Sequence, residues 1–177
     1  LSHNADPLFD TLVAVYSCRP YLASRLPHLR ATWLADLDAA GIPWLVFTGG
    51  GKGQRDGRVV ALDAPDDYEG LPDKTLAMVR WVLANTGFSR LLKVDDDCFI
   101  HTPAMFGDLA MLRHRYLGRA LTLALGQMDR AWHMAKSASP RGRLELDKSP
   151  GRAAYADGGS GYVLSRGAMT ALMAAAD

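Results

Sequence analysis

The sequence has few cysteines, few asparagines and no long apolar run, and each shortage removes a class of protein. Two cysteines in 177 residues, Cys18 and Cys98, permit at most one disulfide, and neither stands in a metal-ligand or redox spacing. A disulfide scaffold or a cysteine-rich zinc fold is excluded. The only asparagines, Asn4 and Asn85, do not begin a glycosylation sequon. Both shortages lean toward a reducing compartment. No stretch approaches the ~20 apolar residues that a membrane helix needs, and the first twenty residues lack the apolar run of a signal peptide. Contact with a membrane would go through an anchor outside this segment. Charge of one sign is also missing: 20 Lys and Arg face 19 Asp and Glu, for a formal net charge of +1. That balance offers no attraction for nucleic acid or an acidic membrane surface.

What remains is a chain of 177 residues, 49% apolar, enough for one domain with a real core. Short apolar runs alternate with helical periods. Residues 12–17 (LVAVYS), 43–48 (PWLVFT), 59–62 and 91–94 read as strands, and 162–165 as a last one. Leu29, Trp33 and Leu37 recur at helical spacing, with Pro27 in a first turn, Arg25 in the approach and Gly41 as the stop. Asp73 is placed to cap a helix running to about residue 86, with Leu76, Val79 and Leu83 on one face and Gly87 as its end. Thr102 and Pro103 suggest the cap and first position of a helix ending near His114, and an alanine-rich helix closes the chain. Residues 126–156 are polar and weakly periodic, an irregular segment. The alternation predicts an α/β fold of three layers, α/β/α, around a mostly parallel sheet.

The segment LLKVDDDCFI sets Asp95, Asp96 and Asp97 at the carboxyl end of an apolar strand. Ligands of open α/β sheets bind at that edge. If the chain stays extended, Asp95 and Asp97 point one way and Asp96 the other. Carboxylates ~4 Å apart repel by about 1 kcal/mol in water and about 4 kcal/mol at an effective dielectric of 20. A divalent cation such as Mn²⁺ or Mg²⁺ relieves that repulsion and prefers carboxylate oxygen. A solvated acidic turn capping the next helix is the bland alternative.

Several segments together resemble the β-1,3-galactosyltransferase family with its fringe-like relatives. Residues 25–33 (RLPHLRATW) resemble its R-x-x-x-I-R-x-T-W helix, and 66–75 (DDYEGLPDKT) its D-x-Y-x-N-L-T-x-K-T stretch. Residues 93–100 (KVDDDCFI) are similar to K-x-D-D-D-x-F-V, and 158–165 (GGSGYVLS) to G-G-x-G-Y-V-L-S. Tyr116 to Gly118 and Trp132 fall where that family has a Y-x-G strand and a tryptophan. The likeness spans residues 12–165, most of the chain.

The resemblance implies a GT-A (Rossmann-like) fold. It also implies inverting, metal-dependent transfer of a hexose from a UDP-sugar donor to a hydroxyl of a glycan or glycoconjugate acceptor, with Mn²⁺ (or Mg²⁺) as cofactor. By position, Asp97 becomes the main metal ligand with Asp95, which also lies near the ribose, while Asp96 stands between metal and donor sugar. Arg30 and Lys74 match basic positions near the nucleotide. Gly158 and Gly159 let backbone approach the donor, and Trp132 and Asp157 are candidates for the acceptor. Trp33 and Trp81 read as core.

Inverting transfer needs a general base. The family's carboxylate lies in an E-D-V-like motif expected beyond Asp177, as does a metal-ligating histidine of fringe-like members, so residues 1–177 read as one domain incomplete at its C-terminus. Asp157 is a weak substitute for that base. His101 and His133, near the motifs, read as surface histidines. Residues 49–53 (GGGKG) are not a phosphate loop, because Val46 replaces its first glycine and Gly53 its Ser or Thr; they read as a flexible surface turn. A catalytically silent sugar-nucleotide- or glycan-binding domain is the rival reading. A Mg²⁺-dependent phosphohydrolase would need an aspartate where Ser17, Cys18 and Arg19 stand. The compartment stays open: the Golgi lumen for a eukaryotic chain, the cytoplasm for a bacterial one.

Overall fold

The computed structural model describes residues 10–107, 110–121, 136–137 and 154–176. Strand β1 (Thr11–Tyr16) is buried along its whole length and serves two cores at once. Val13 and Val15 face one, with Leu29, Trp33, Leu34, Leu37 and Phe106. Leu12, Ala14 and Tyr16 face the other, with Met78, Val79, Val82, Met169 and Met173. A strand covered on both sides has no polar face, which is why it appears as an unbroken apolar run.

The first core carries the short helices α1 (Arg19–Leu22), α2 (Leu26–Arg30) and α3 (Trp33–Ala39) on its side of the sheet, with α5 (Thr102–Gly107) packed on α3. The second is roofed by α4 (Leu71–Asn85) and α7 (Arg166–Ala176), which pack on one another. A further turn of helix, α6, spans Ala110–Arg113. Between the two helical layers lies a seven-stranded sheet with β1 at its centre. Its other members are β2 (Trp44–Thr48), β3 (Gln54–Asp56), β4 (Val59–Ala61), β5 (Arg90–Asp95), β6 (Tyr116–Gly118) and β9 (Tyr162–Ser165). They stand in the order β3-β4-β2-β1-β5-β9-β6. Strands β4, β2, β1 and β5 are parallel, while β3 and β9 run against their neighbours. A separate pair joins β7 (Ala120–Leu121) to β8 (Tyr155–Ala156). This is the predicted mixed α/β fold with a large, mostly parallel central sheet. No helix among the described residues is long and apolar enough to cross a membrane.

Several local expectations are corrected. The helix predicted around Leu29, Trp33 and Leu37 is broken before Trp33, where Thr32 leaves the helical region (φ −126°, ψ −120°). Its hydroxyl donates to the carbonyl of His28 at 2.8 Å, a side-chain bond that competes with the helical ladder. The three apolar residues still share one core. Helix α4 begins at Leu71, with Pro72 in its first turn, so Asp73 is not the cap but an acid near the positive end of the dipole. The cap of α5 is His101, whose Nδ1 accepts the Ala104 N–H at 3.2 Å, while Thr102 is already helical. Residues 108–109, between α5 and α6, and most of the segment 126–156 lie outside the described residues; of the latter, Tyr155 and Ala156 form β8.

The glycine-rich stretch is not a loose turn. Gly50, Gly51 and Gly53 donate backbone bonds of 2.7–2.8 Å to Ala64, Leu62 and Ala61, and Gln54–Asp56 add an antiparallel edge strand. Gly49 is packed so closely that a Cβ would lie 2.4 Å from the Pro65 carbonyl oxygen.

Candidate functional site

Strand β5 carries Asp95 to the carboxyl edge of the sheet, in register with Tyr16 of β1. There the chain stops being extended. Cys98 N–H closes a turn on the Asp95 carbonyl at 3.2 Å, and Asp96 N–H bonds the Tyr16 carbonyl at 3.1 Å. The indole N–H of Trp33, 1% exposed, pins the end of the turn through the Cys98 carbonyl at 3.0 Å. The two-sided alternation predicted for the aspartates therefore fails after Asp95, and the three carboxylates acquire different surroundings.

Asp96 is buried, and both its oxygens are used. Ser17 Oγ donates to Oδ2 at 2.6 Å and the Arg25 guanidinium donates to Oδ1. Asp95 accepts the ammonium of Lys93. Burial raises its pKa, against the pull of Lys93. Asp97 is the exposed one: its side chain is 66% exposed, and its ion pair among the described residues is a long one, to Arg25 at 3.5 Å. Arg25 and Lys93 thus do part of what a divalent cation would do, relieving two of the three carboxylates.

Lys93 also ties the turn to a second segment. Its buried ammonium donates to the Gly158 carbonyl at 2.8 Å and lies 4.7 Å from the centre of the Tyr16 ring. Gly161, at φ +84°, follows that segment; a Cβ there would lie 2.8 Å from the Lys93 carbonyl oxygen. Gly159 accepts from Cys98 Sγ at 3.0 Å. Gly158 and Gly159 therefore lie beside the aspartates, bound to them through Lys93 and Cys98. Both cysteines are free thiols.

Asp157 opens this glycine turn. Its carboxylate accepts Ser160 Oγ at 2.5 Å and Gly159 N–H at 3.1 Å, and Arg119 lies 3.8 Å away. The Ser160 hydroxyl, foremost, holds its pKa below the usual carboxylate range. A general base works best with a pKa near the operating pH, so Asp157 is better suited to shaping the turn.

Lys74 is buried beneath the same edge, donating to the Ser17 carbonyl at 2.9 Å and to Asp66 at 3.1 Å. Burial works to raise the pKa of Asp66, but the Arg19 and Gly49 N–H groups, at 2.7 and 2.6 Å, together with Lys74 outweigh it, and the pKa is lowered. Asp66 thereby clamps the ends of β1 and β2 together. Arg30 is elsewhere. Its guanidinium lies 5.9 Å from the ring of Trp44, the first residue of β2, toward the amino ends of the strands. The arginine at the aspartates is Arg25. Trp132 and His133 lie outside the described residues, as does Asp177.

Among the described residues, no three His, Cys, Asp or Glu side chains are grouped to hold a metal by themselves. The donor chemistry still fits a hard cation of the Mg²⁺ or Mn²⁺ type. Such ions are commonly held by one or two carboxylates plus the substrate's phosphates, not by an all-protein cage. Asp97, with Asp95 beside it on the turn, would supply those carboxylates.

Sequence reasoning alone does not single out Ser17, Arg25, Asp66 or Lys93 as site residues. For Lys93 there is a signal: a charge inside the run LLKVD, on a strand otherwise buried, requires a partner.

Comparison with known proteins places the chain among glycosyltransferases. Residues 52–177 match the family model for Galactosyltransferase. The chain is similar to UDP-GalNAc:beta-1,3-N-acetylgalactosaminyltransferase 2 of Danio rerio, 37% identical over 112 residues, which is 63% of this chain and 21% of the relative. It is similar to the Homo sapiens protein of that name, 44% identical over 48 residues, 27% of this chain and 10% of the relative. It is also similar to Beta-1,3-galactosyltransferase 6 of Mus musculus, 31% identical over 114 residues, 55% of this chain and 35% of the relative. The chain thus spans about a tenth to a third of the length of these relatives.

Proposed function

The chain belongs to the galactosyltransferase family, and from that premise we propose that it forms the donor-binding part of a metal-dependent, inverting hexosyltransferase. The donor is a UDP-sugar and the acceptor a hydroxyl of a glycan or glycoconjugate. The names of the relatives support that choice: all carry a β-1,3 linkage, and the N-acetylgalactosaminyltransferase names carry a UDP-linked donor. The observation that carries it is the division of labour among three adjacent aspartates: two neutralised by protein cations, one left exposed at the sheet edge.

In this reading Asp97, with Asp95, holds Mn²⁺ or Mg²⁺, and the bound ion offsets the charge of the departing diphosphate. Asp96 is the fixed point of the turn. Its buried hydrogen bonds to Ser17 and Arg25 stop Asp97 from drifting, and such positioning lowers the barrier by removing misaligned states. Lys93 sets the distance between the aspartate turn and the glycine turn, so that Gly158 and Gly159 line the donor's path. Lys74 and Asp66 brace the floor from below. Asp157 and Trp132 are assigned to the acceptor side. The base that takes the acceptor proton is a carboxylate other than Asp157.

The test is a panel of UDP-sugars offered to the full-length protein with a glycan acceptor, with and without Mn²⁺, reading UDP release. Manganese-dependent release with one donor supports the reading. Tight UDP binding without release from any donor would favour a silent binding domain instead.

A further inference from the structure

Arg25 spans two carboxylates of unlike standing. Its guanidinium lies 3.8 Å from the centre of the Tyr21 ring. Nη1 donates to Asp96 and sits 3.5 Å from Oδ2 of Asp97. The Asp96 arm is fixed. That carboxylate is buried, its other oxygen is held by Ser17 at 2.6 Å, and withdrawing the guanidinium would leave a buried charge with a single hydroxyl partner. The Asp97 arm is long and faces solvent, since the Asp97 side chain is 66% exposed. An arginine anchored by its buried partner cannot follow its exposed one.

Building on the donor-binding function proposed for this site, we propose that Arg25 is a positioning residue that makes cation binding at Asp97 conditional on the nucleotide. Without nucleotide, a divalent cation arriving at Asp97 meets one exposed carboxylate with a fixed positive charge beside it, and like charges at such short range repel. With a nucleoside diphosphate present, phosphate oxygens supply further ligands and negative charge, and the guanidinium becomes an attraction instead of a repulsion. Metal and donor therefore load together. The empty turn, with its guanidinium in place, takes up little metal.

The test measures free Mn²⁺ by electron paramagnetic resonance with full-length protein, first alone and then with UDP. Arg25→Gln is expected to bind Mn²⁺ without UDP about tenfold more tightly than wild type, and to gain less from added UDP. Arg25→Lys, which keeps the charge, should stay near wild type. A purely structural arginine would weaken metal binding on removal and never tighten it. If Arg25→Gln fails to fold because Asp96 is stranded, Arg25→Gln with Asp96→Asn removes the half-exposed cation and its buried partner together and should show a smaller tightening in the same direction, since the guanidinium borders Asp97 while the Asp96 carboxylate is buried behind it. Unchanged or weaker nucleotide-free binding in the folded variant overturns the proposal while leaving the donor reading intact. If UDP gives no gain in wild type, the donor reading itself fails, and this inference with it.

Discussion

Lys93 donates to the carbonyl of Gly158 at 2.8 Å, across 65 residues of sequence, and in doing so locks the aspartate turn to the glycine turn. The same ammonium serves Asp95, so one buried lysine sets the position of two walls of the site. Lys93→Met should cost about 3 kcal/mol or more, because it leaves Asp95 partly buried without its cation. Adding Asp95→Asn should recover much of that loss. Urea denaturation of the two variants checks both statements.

The Lys74–Asp66 pair should be felt asymmetrically. Asp66→Asn strands a buried ammonium on the Ser17 carbonyl, at a cost of about 3–5 kcal/mol. Lys74→Met should cost less, since Asp66 keeps the N–H groups of Arg19 and Gly49. The sign of the pH dependence follows from the lowered pKa of Asp66. The folded carboxyl takes up a proton less readily than the unfolded one, so its contribution is complete above about pH 4 and lost as pH falls through the lower folded value. Denaturation followed from about pH 5 to pH 2 should therefore fall less steeply for Asp66→Asn than for wild type.

Two glycines of one turn should behave differently. Gly161→Ala meets both a positive φ of 84° and a contact of 2.8 Å with backbone oxygen, and should cost about 1–3 kcal/mol. Gly158→Ala has no other atom within 4 Å of the added carbon and should stay within about 0.5 kcal/mol of wild type. Thermal melts of the pair are sufficient.

Asp157→Asn separates turn-shaping from proton transfer. With the carboxylate held low by Ser160, transfer rate should fall by less than about tenfold, against the 10²–10⁴ expected for loss of a general base. A loss in that larger range, with a flattened pH–rate profile, would return Asp157 to the catalytic role.

How much of this is legible in the sequence depends on whether a feature is local. The apolar runs of β1, β2 and β5 identify central strands because burial on two faces removes polar alternation. Strand β3 (QRD) escapes because it is an exposed edge, with no apolar side chain, held in the sheet by backbone pairing with β4. The break at Thr32 is hidden, since Leu29, Trp33 and Leu37 keep one face across it. The aspartates are readable from strand end and motif, but their unequal roles are not. Those depend on Arg25 and Ser17, 71 and 79 residues from Asp96. Sequence favours Arg30 over Arg25 because the resemblance matches Arg30 to a basic position near the nucleotide, and only the fold shows that Arg25, just before α2, is the one that reaches the aspartate turn.

Donor binding as proposed rests on one contact: the exposed carboxylate of Asp97 holds a metal shared with a nucleotide's phosphates. Its most direct test is calorimetric titration of UDP into full-length wild type and Asp97→Ala, each with and without Mn²⁺. Mn²⁺ is expected to raise UDP affinity about tenfold or more in wild type, and Asp97→Ala, at an exposed position, to keep its fold while losing that coupling. UDP affinity indifferent to Mn²⁺ in wild type, or coupling that survives in Asp97→Ala, would contradict it.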